Sequence, residues 1–450
     1  MELNLNKKIN RRRFLQASVA SGLGLVSANS SAESVNSEAP EIGGQYSSPA
    51  PIPAKKGPRI VVVGGGWAGL TIAKHLKLAN PNFDIVLLDK NNQFVSCPIS
   101  NLWLADQVSL EFLTHSYVDA AHNHNYLFIN ATAIELDRDH RKLITTMGSI
   151  EYDYLVLAPG IDYDYSKIGI EDPEQEHHLR MHYPAGFNSA SEIMAIKHKL
   201  HNFRGGTLAL TIPSGNYRCM AAPYERSCMA AAILKKRRIK AKILVLDMNP
   251  GIRIKADGFK KAYEEFYSDS IQYEASTEIN GVNVPSKEIE TDFDSYAFDD
   301  AIIYPPIRAS RLIEKLGLND PQSPQKEGHI DPFKYHHVDD EHIFIIGDAR
   351  SQPFSKSGNT ATTEAKYVAE VISAHAKGKE IAWRSPQTMC FSGVKIDPLE
   401  AMSINAFYKY NHQEKSFAFD QVNMVENWDV SAGVQGLDWA RGMYHDMFYK

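Results

Sequence analysis

Among the 450 residues, the four cysteines are the side chains best suited to covalent or redox chemistry: Cys97, Cys219, Cys228 and Cys390. A cysteine can act as a nucleophilic thiolate, form half of a disulfide, attach a group covalently, or sit inert in a core. Four are too few for a disulfide scaffold in so long a chain. Cys97 stands in "FVSCPISN", Cys219 and Cys228 in "NYRCMAAPYERSC", and Cys390 in "TMCFSG". Cys219 and Cys390 are 171 residues apart, so only the fold can bring them together. On spacing alone they are as readily two unrelated thiols. Cys228 lies in an apolar helical run and is expected to be a buried thiol. The pairs His122-x-His124, His177-His178 and His336-His337 lack cysteine or acid partners at metal-ligand spacing, and are expected in solvated polar loops.

The elements around these residues belong to a nucleotide-binding fold. "RIVVVGGGWAGLTIAKHLKLANPNFDIVLLDKN" reads as strand, glycine turn, helix and strand. Gly64, Gly66 and Gly69 fit G-x-G-x-x-G, and Asp89 ends the second strand, where an acid binds a ribose. The glycines let backbone approach a pyrophosphate, and the helix N-terminus offers it free N–H groups. "YDYLVLAPG", ending at Gly160, and "HIFIIGDA", holding Gly347 and Asp348, read as further buried strands of the same sheet. A second strand–turn unit follows, "GGTLALTI" and later "KAKILVLDMNP". Its turn, Pro213 to Cys219, holds one glycine and bulky side chains where a pyrophosphate would need bare backbone. Asp247 stands where a ribose-binding acid would, but without the phosphate loop it is expected to be only a strand-end residue. No working nicotinamide site is expected here.

The composition sets outer limits. Hydrophobic content of 43% and charged content of 23% suit a globular protein. A formal charge of −6 without a basic stripe argues against nucleic-acid binding. The N-terminus carries Arg11-Arg12-Arg13, a mild apolar run and then Ser30-Ser31-Ala32, the pattern of a twin-arginine export signal. Cleavage after Ala32 would remove five basic residues and one acid, leaving 43 basic against 53 acidic residues. A periplasmic protein is therefore expected, in a compartment where disulfides persist.

Taken together, "VVVGGGWAGLTIAKHLKLANP", "FVSCPISN", "YRCMAAPYER", "IIGDA…KSGNTA", "CFSG" and the closing "WARGMYHDMFYK" resemble the flavoprotein subunit of flavocytochrome c sulfide dehydrogenase. That family lies in the flavoprotein disulfide reductase superfamily, beside sulfide:quinone oxidoreductase. The resemblance implies an α/β fold with two Rossmann-like domains and a small C-terminal domain. The expected divisions are a signal peptide at 1–32, a mobile linker at 33–57, and an FAD domain at 58–163 and 299–385. An inserted domain occupies 164–298, and a C-terminal domain covering the flavin and partner interface occupies 386–450.

The resemblance also implies roles. Cys219 and Cys390 match a redox disulfide, and Cys97 a cysteine bound to the flavin 8α-methyl group of FAD. Glu225 matches an acid near the disulfide and is as readily a helix N-terminal acid that complements the dipole. Asp348 would hold the ribityl chain, and Lys356 with the helix near Gly358 would face the flavin pyrimidine. The implied reaction is attack of hydrosulfide on the disulfide, then electron transfer to FAD and to a c-type cytochrome. The sequence has no C-x-x-C-H, so the haem would be on a separate chain. The tail aromatics Phe407, Tyr408, Tyr410, Trp428, Trp439, Tyr444 and Phe448 could dock that partner or build a core over the flavin site. Two departures stand out: Met220-Ala221-Ala222 replaces the Pro-Pro-Gly common in the family, and Cys228 has no counterpart. The alternatives are a membrane-associated sulfide:quinone oxidoreductase, although no integral membrane association is expected, and a non-redox FAD-containing assembly protein.

Overall fold

The computed structural model describes residues 48–450. The expected signal at 1–32 lies outside them. Order begins earlier than Arg59: the Ala50 N–H donates to the Ser149 carbonyl at 2.9 Å, and Ala50 is buried. This corrects the C-terminal part of the expected linker, which is pinned to a neighbouring strand.

Two parallel sheets carry the architecture. The first has six strands in the order His336–His337, Asp340–Ile345, Tyr154–Leu157, Arg59–Val63, Asp84–Asp89, Leu127–Asn130. All pair in parallel except the short His336–His337 edge. "RIVVV" and "YLVL" are buried at every position, as expected for strands covered on both faces. The strand Arg59–Val63 has partners on both sides that come from different parts of the chain, so a crevice opens beyond its C-terminal end. Gly64, Asp89, Gly160 and Gly347 all stand at that edge of the sheet.

The second sheet runs Ile271–Glu274, Ala241–Asp247, Gly206–Ile212, Asp300–Ile302, again all parallel. Here the expected return to the FAD domain at 299 is corrected. Asp300–Ile302 pairs with Leu208–Leu210 and completes the inserted sheet. A three-stranded antiparallel sheet, Thr388–Ile396, Leu399–Asn411 and Ser416–Asp429, leads into the helix Val430–Phe448.

That helix packs the chain's later residues onto its early ones. Trp439 stacks on Trp67 with ring centroids 5.7 Å apart, and Phe448 meets Phe94 at 5.2 Å. Tyr408, Tyr444 and Phe448 are buried, and Tyr410, Trp428 and Trp439 pack partly buried against the cores, so most of the tail aromatics build core. The exposed apolar side chains of this region are others: Phe419, Val422, Met424 and Val425 on the outer strand and Val430 and Val434 on the helix.

Candidate active site

The glycine turn is shaped by close approach. Gly64 has φ of +101°, and a Cβ there would lie 2.4 Å from the Ala158 carbonyl oxygen. A Cβ on Gly69 would lie 1.7 Å from the Gly64 oxygen, so the helix Trp67–Ala79 can meet the turn only through glycine. At Gly66, by contrast, a Cβ would meet nothing within 4 Å, and the turn is open to the crevice there. Asp89 accepts hydrogen bonds from the N–H groups of Gly65 and Asn91, both at 2.7 Å. Oδ1 also accepts from Asn91 Nδ2 at 2.9 Å, while Oδ2 keeps a lone pair for a further donor such as a ribose hydroxyl.

From this turn a cavity of about 350 Å³ runs past Gly160 and Phe187 to Cys97 and Arg218. A second, of about 70 Å³, is lined by Cys97, Arg218, Cys219, Glu225, Cys390 and Trp439 among others. Cys97 and Arg218 stand in both walls. A glycine cradle with an acid at one end and mixed polar and apolar walls leading to a cysteine at the other form a donor set that fits a flavin dinucleotide. Asp348 is buried and pairs with Arg218, Oδ2 to Nε at 3.1 Å.

Lys356 is a correction. Its Nζ is 2.6 Å from Glu327 and donates to the Asp348 carbonyl at 2.8 Å, and the side chain is 1% exposed. It is absent from both cavity walls. Burying an ammonium requires a carboxylate partner, and that demand fixes the side chain away from the flavin site. Its backbone does matter: the Lys356 carbonyl accepts from the Cys219 N–H at 2.8 Å.

Cys219 and Cys390 meet. Cys219 follows the inserted strand Gly206–Ile212, and Cys390 lies on Thr388–Ile396. Both are free thiols here, and they hydrogen-bond to each other. The thiol–thiol hydrogen bond and the Lys255 ammonium draw Cys390 down. The same bond and burial push Cys219 up. The two thiols therefore titrate as a pair.

Glu225 opens the helix Ala222–Lys236 and points into this site. Its carboxylate accepts from Asn101 Nδ2 and from the Gly393 N–H, both at 2.7 Å. Burial raises its carboxyl to about 7, against the pull of these two donors. Asn101 is itself oriented, because its Oδ1 accepts from Arg226 Nε at 3.0 Å. Arg226 is buried and lies over the Phe187 ring at 4.3 Å. Asn101, Arg218, Arg226 and Lys255 were not singled out from the sequence. The first three stand in "FVSCPISN" and "YRCMAAPYER", stretches whose cysteines drew the attention.

Other expectations resolve simply. Cys228 is fully buried, and burial pushes its thiol up. Asp247 accepts from the Tyr224 and Tyr273 hydroxyls and from Asn249, so no acceptor is left for a ribose. Among the described residues no group of three or more His, Cys, Asp or Glu could hold a metal. The histidine pairs lie on the helices Tyr117–His124 and Pro173–His182 and the strand His336–His337, not in loops. His337 is buried rather than solvated.

Comparison with known proteins now bears on this geometry. Residues 193–305 match the family "Sulfide dehydrogenase [flavocytochrome c] flavoprotein chain, central", and 58–186 match "Pyridine nucleotide-disulphide oxidoreductase". The sulfide dehydrogenase [flavocytochrome c] flavoprotein chain of Chlorobaculum thiosulfatiphilum is 44% identical over 43 residues, 10% of this chain and 90% of that sequence. The chain belongs to the sulfide dehydrogenase flavoprotein family. It is thereby an FAD-binding oxidoreductase of a sulfide-oxidising family. The mitochondrial sulfide:quinone oxidoreductase of Mus musculus is 24% identical to this family member over 319 residues, 68% of each chain. The crystal structure of the sulfide:quinone oxidoreductase from Aquifex aeolicus superposes with a TM-score of 0.68 at 18% identity, covering 87% of this chain and 91% of that one, a likeness of fold.

Proposed function

We propose that this chain oxidises sulfide at the Cys219–Cys390 pair, passes the electrons to FAD tethered through Cys97, and delivers them in the periplasm to a c-type cytochrome on a separate chain. The observation that carries the reading is the meeting of Cys219 and Cys390 in a cavity whose wall also holds Cys97 and Glu225.

In the resting oxidised enzyme the pair is a disulfide. Hydrosulfide attacks one sulfur, the S–S bond breaks, and a persulfide and a thiolate result. Glu225, raised to about 7, can take or return a proton beside this exchange at neutral pH. FAD, when bound, supplies the acceptor for the electron pair. Gly64, Gly66 and Asp89 would hold its adenosine diphosphate end, Asp348 its ribityl chain, and Cys97 its ring through a thioether.

The cytochrome acceptor is supported by the "flavocytochrome c" in the family's own description; with no C-x-x-C-H in this sequence, the haem would lie on a separate chain. The relatives named as quinone oxidoreductases make a quinone the competing acceptor. Among the described residues no helix is long and apolar enough to cross a membrane. Stopped-flow reoxidation of the sulfide-reduced enzyme by cytochrome c and by a soluble quinone separates the two. Faster reoxidation by the quinone would overturn the cytochrome assignment.

Anaerobic titration with sulfide tests the chemistry. The flavin absorbance of the wild type should bleach, and Cys390→Ser should not bleach with sulfide while still bleaching with dithionite. Sulfide bleaching of Cys390→Ser at the wild-type rate would remove the disulfide from the mechanism. A flavin that sulfide never reduces in the wild type would favour a non-redox role.

A further inference from the structure

Lys255 is fully buried, yet among the described residues no carboxylate lies within ion-pair distance of its ammonium. A buried ammonium without an anion is costly, and proteins avoid it by pairing or by losing the charge. The donors of Lys255 converge on one short stretch of the strand Thr388–Ile396. Its Nζ is 3.0 Å from Ser392 Oγ, 3.2 Å from the Cys390 carbonyl oxygen and 3.9 Å from Cys390 Sγ. The acidic group it touches is the Cys390 thiol. A second observation concerns the backbone. Lys255 has φ of +54° and ψ of 45° where it opens the helix Ala256–Tyr267, and Cys219 has φ of +56°. A non-glycine residue enters this left-handed region only at a steric cost. Strain of this kind, held in place by the surrounding fold, collects at functional positions.

We propose that Lys255 sets the polarity of the cysteine pair: its ammonium holds Cys390 as the thiolate and leaves Cys219 as the sulfur that hydrosulfide attacks. This rests on the sulfide-oxidising reading above and deepens it. In the exchange, the sulfur of HS⁻ bonds to Cys219 Sγ as the Cys219–Cys390 bond breaks. The electron pair of that bond leaves on Cys390 Sγ beside Lys255. The products are a Cys219 persulfide and a Cys390 thiolate, so the disulfide is the oxidant and no further reactant enters the step. A leaving thiolate that is already stabilised leaves faster, which gives the reaction its direction. The charged groups facing Cys390 are Lys255 from one side and Glu225 from the helix Ala222–Lys236, with Cys219 as the hydrogen-bonding thiol. Glu225 repels a thiolate at Cys390, so Lys255 is the group that favours it. The lowered Cys390 thiol noted above agrees with this arrangement.

The test uses the dithiol form of the FAD-loaded protein and needs no turnover. Iodoacetamide labelling at pH 6, resolved by mass spectrometry of the two peptides, should modify Cys390 at least about tenfold faster than Cys219 in the wild type. In Lys255→Met the preference should fall on the order of tenfold, with the Cys390 labelling profile displaced to higher pH by about one unit or more. Brief treatment of the oxidised, disulfide form with sulfide, followed by labelling, should find the extra sulfur on Cys219 in the wild type. A role of Lys255 confined to anchoring its helix would leave the Cys390 pH profile unmoved in folded Lys255→Met, and that result overturns the proposal. Lys255→Gln provides a second neutral variant. If neither variant folds, the wild-type labelling decides: Cys219 reacting faster than Cys390 at pH 6 overturns the assignment. Failure of sulfide to bleach the flavin would strike the functional reading alone, since the labelling is independent of it.

Discussion

Glu225→Gln isolates the group whose environment departs furthest from that of an ordinary glutamate. Burial raises the Glu225 carboxyl from about 4.3, the value in water, to about 7. The folded protein therefore holds this proton more tightly than the unfolded chain. The stability associated with it is complete below about pH 4.3 and is lost as pH rises through 7. A displacement of between two and three pH units corresponds to roughly 3–4 kcal/mol, contributed by one fully buried side chain. Glutamine does not titrate, so the variant escapes this loss. It incurs a different one. The carboxylate offers acceptors to both Asn101 Nδ2 and the Gly393 N–H. The glutamine amide offers one oxygen, so one donor faces its NH₂ group. Asn101 cannot turn over to compensate without breaking its bond from Arg226 Nε. An unsatisfied buried donor costs about 1–3 kcal/mol at any pH. Glu225→Gln should then be less stable than the wild type at pH 5, and equal or more stable at pH 8. Urea denaturation of both proteins at pH 5, 6, 7 and 8, followed by circular dichroism, gives the difference directly. Parallel curves across this range would refute the reasoning, because the carboxyl would then titrate as an ordinary glutamate and could not exchange a proton at neutral pH.

Two further outcomes follow from the same geometry. Cys97→Ser should release its FAD to the supernatant on acid precipitation, while the wild-type pellet stays yellow; a colourless wild-type pellet removes the thioether. Arg350 and Glu364 form a buried ion pair, with side chains 1% and 0% exposed, and Arg350 also donates to the Gln352 carbonyl at 2.9 Å. Glu364→Ala should cost about 3–5 kcal/mol by leaving the guanidinium unpaired, with most of it regained in the Arg350→Met/Glu364→Leu double variant; denaturation midpoints of the three proteins decide this.

Much of the fold was legible because its signals are local. Gly64, Gly66, Gly69 and Asp89 lie within one strand–turn–helix–strand unit, where spacing and geometry coincide. The continuous apolar runs could be read as covered parallel strands for the same reason. Cys219 and Cys390 are a different case. Nothing in the 170 intervening residues pairs them; the resemblance to a family did, and the fold brings both to the wall of one cavity. Lys255 was beyond reach. In "GIRIKADGF" it reads as one more surface lysine, and its value depends on a strand 135 residues later. Lys356 shows the reverse error. A lysine beside a predicted flavin site invited a role, whereas Glu327 lies within 2.6 Å of its ammonium. The expected boundary at 299 failed because a three-residue strand has too little pattern to reveal which sheet it joins.

The helix Val430–Phe448 supplies Gly433, Gly436 and Trp439 to the wall of the cysteine cavity, and its far end covers Trp67 and Phe94. Of all the segments that line the cavity, it is the last to leave the ribosome. Until it docks, the cavity lined by Cys97, Cys219 and Cys390 lacks the part of its wall made by Gly433, Gly436 and Trp439. Tyr444 and Phe448 then seal against residues made some 350 positions earlier. The wall of the site is thereby completed by its last-made segment.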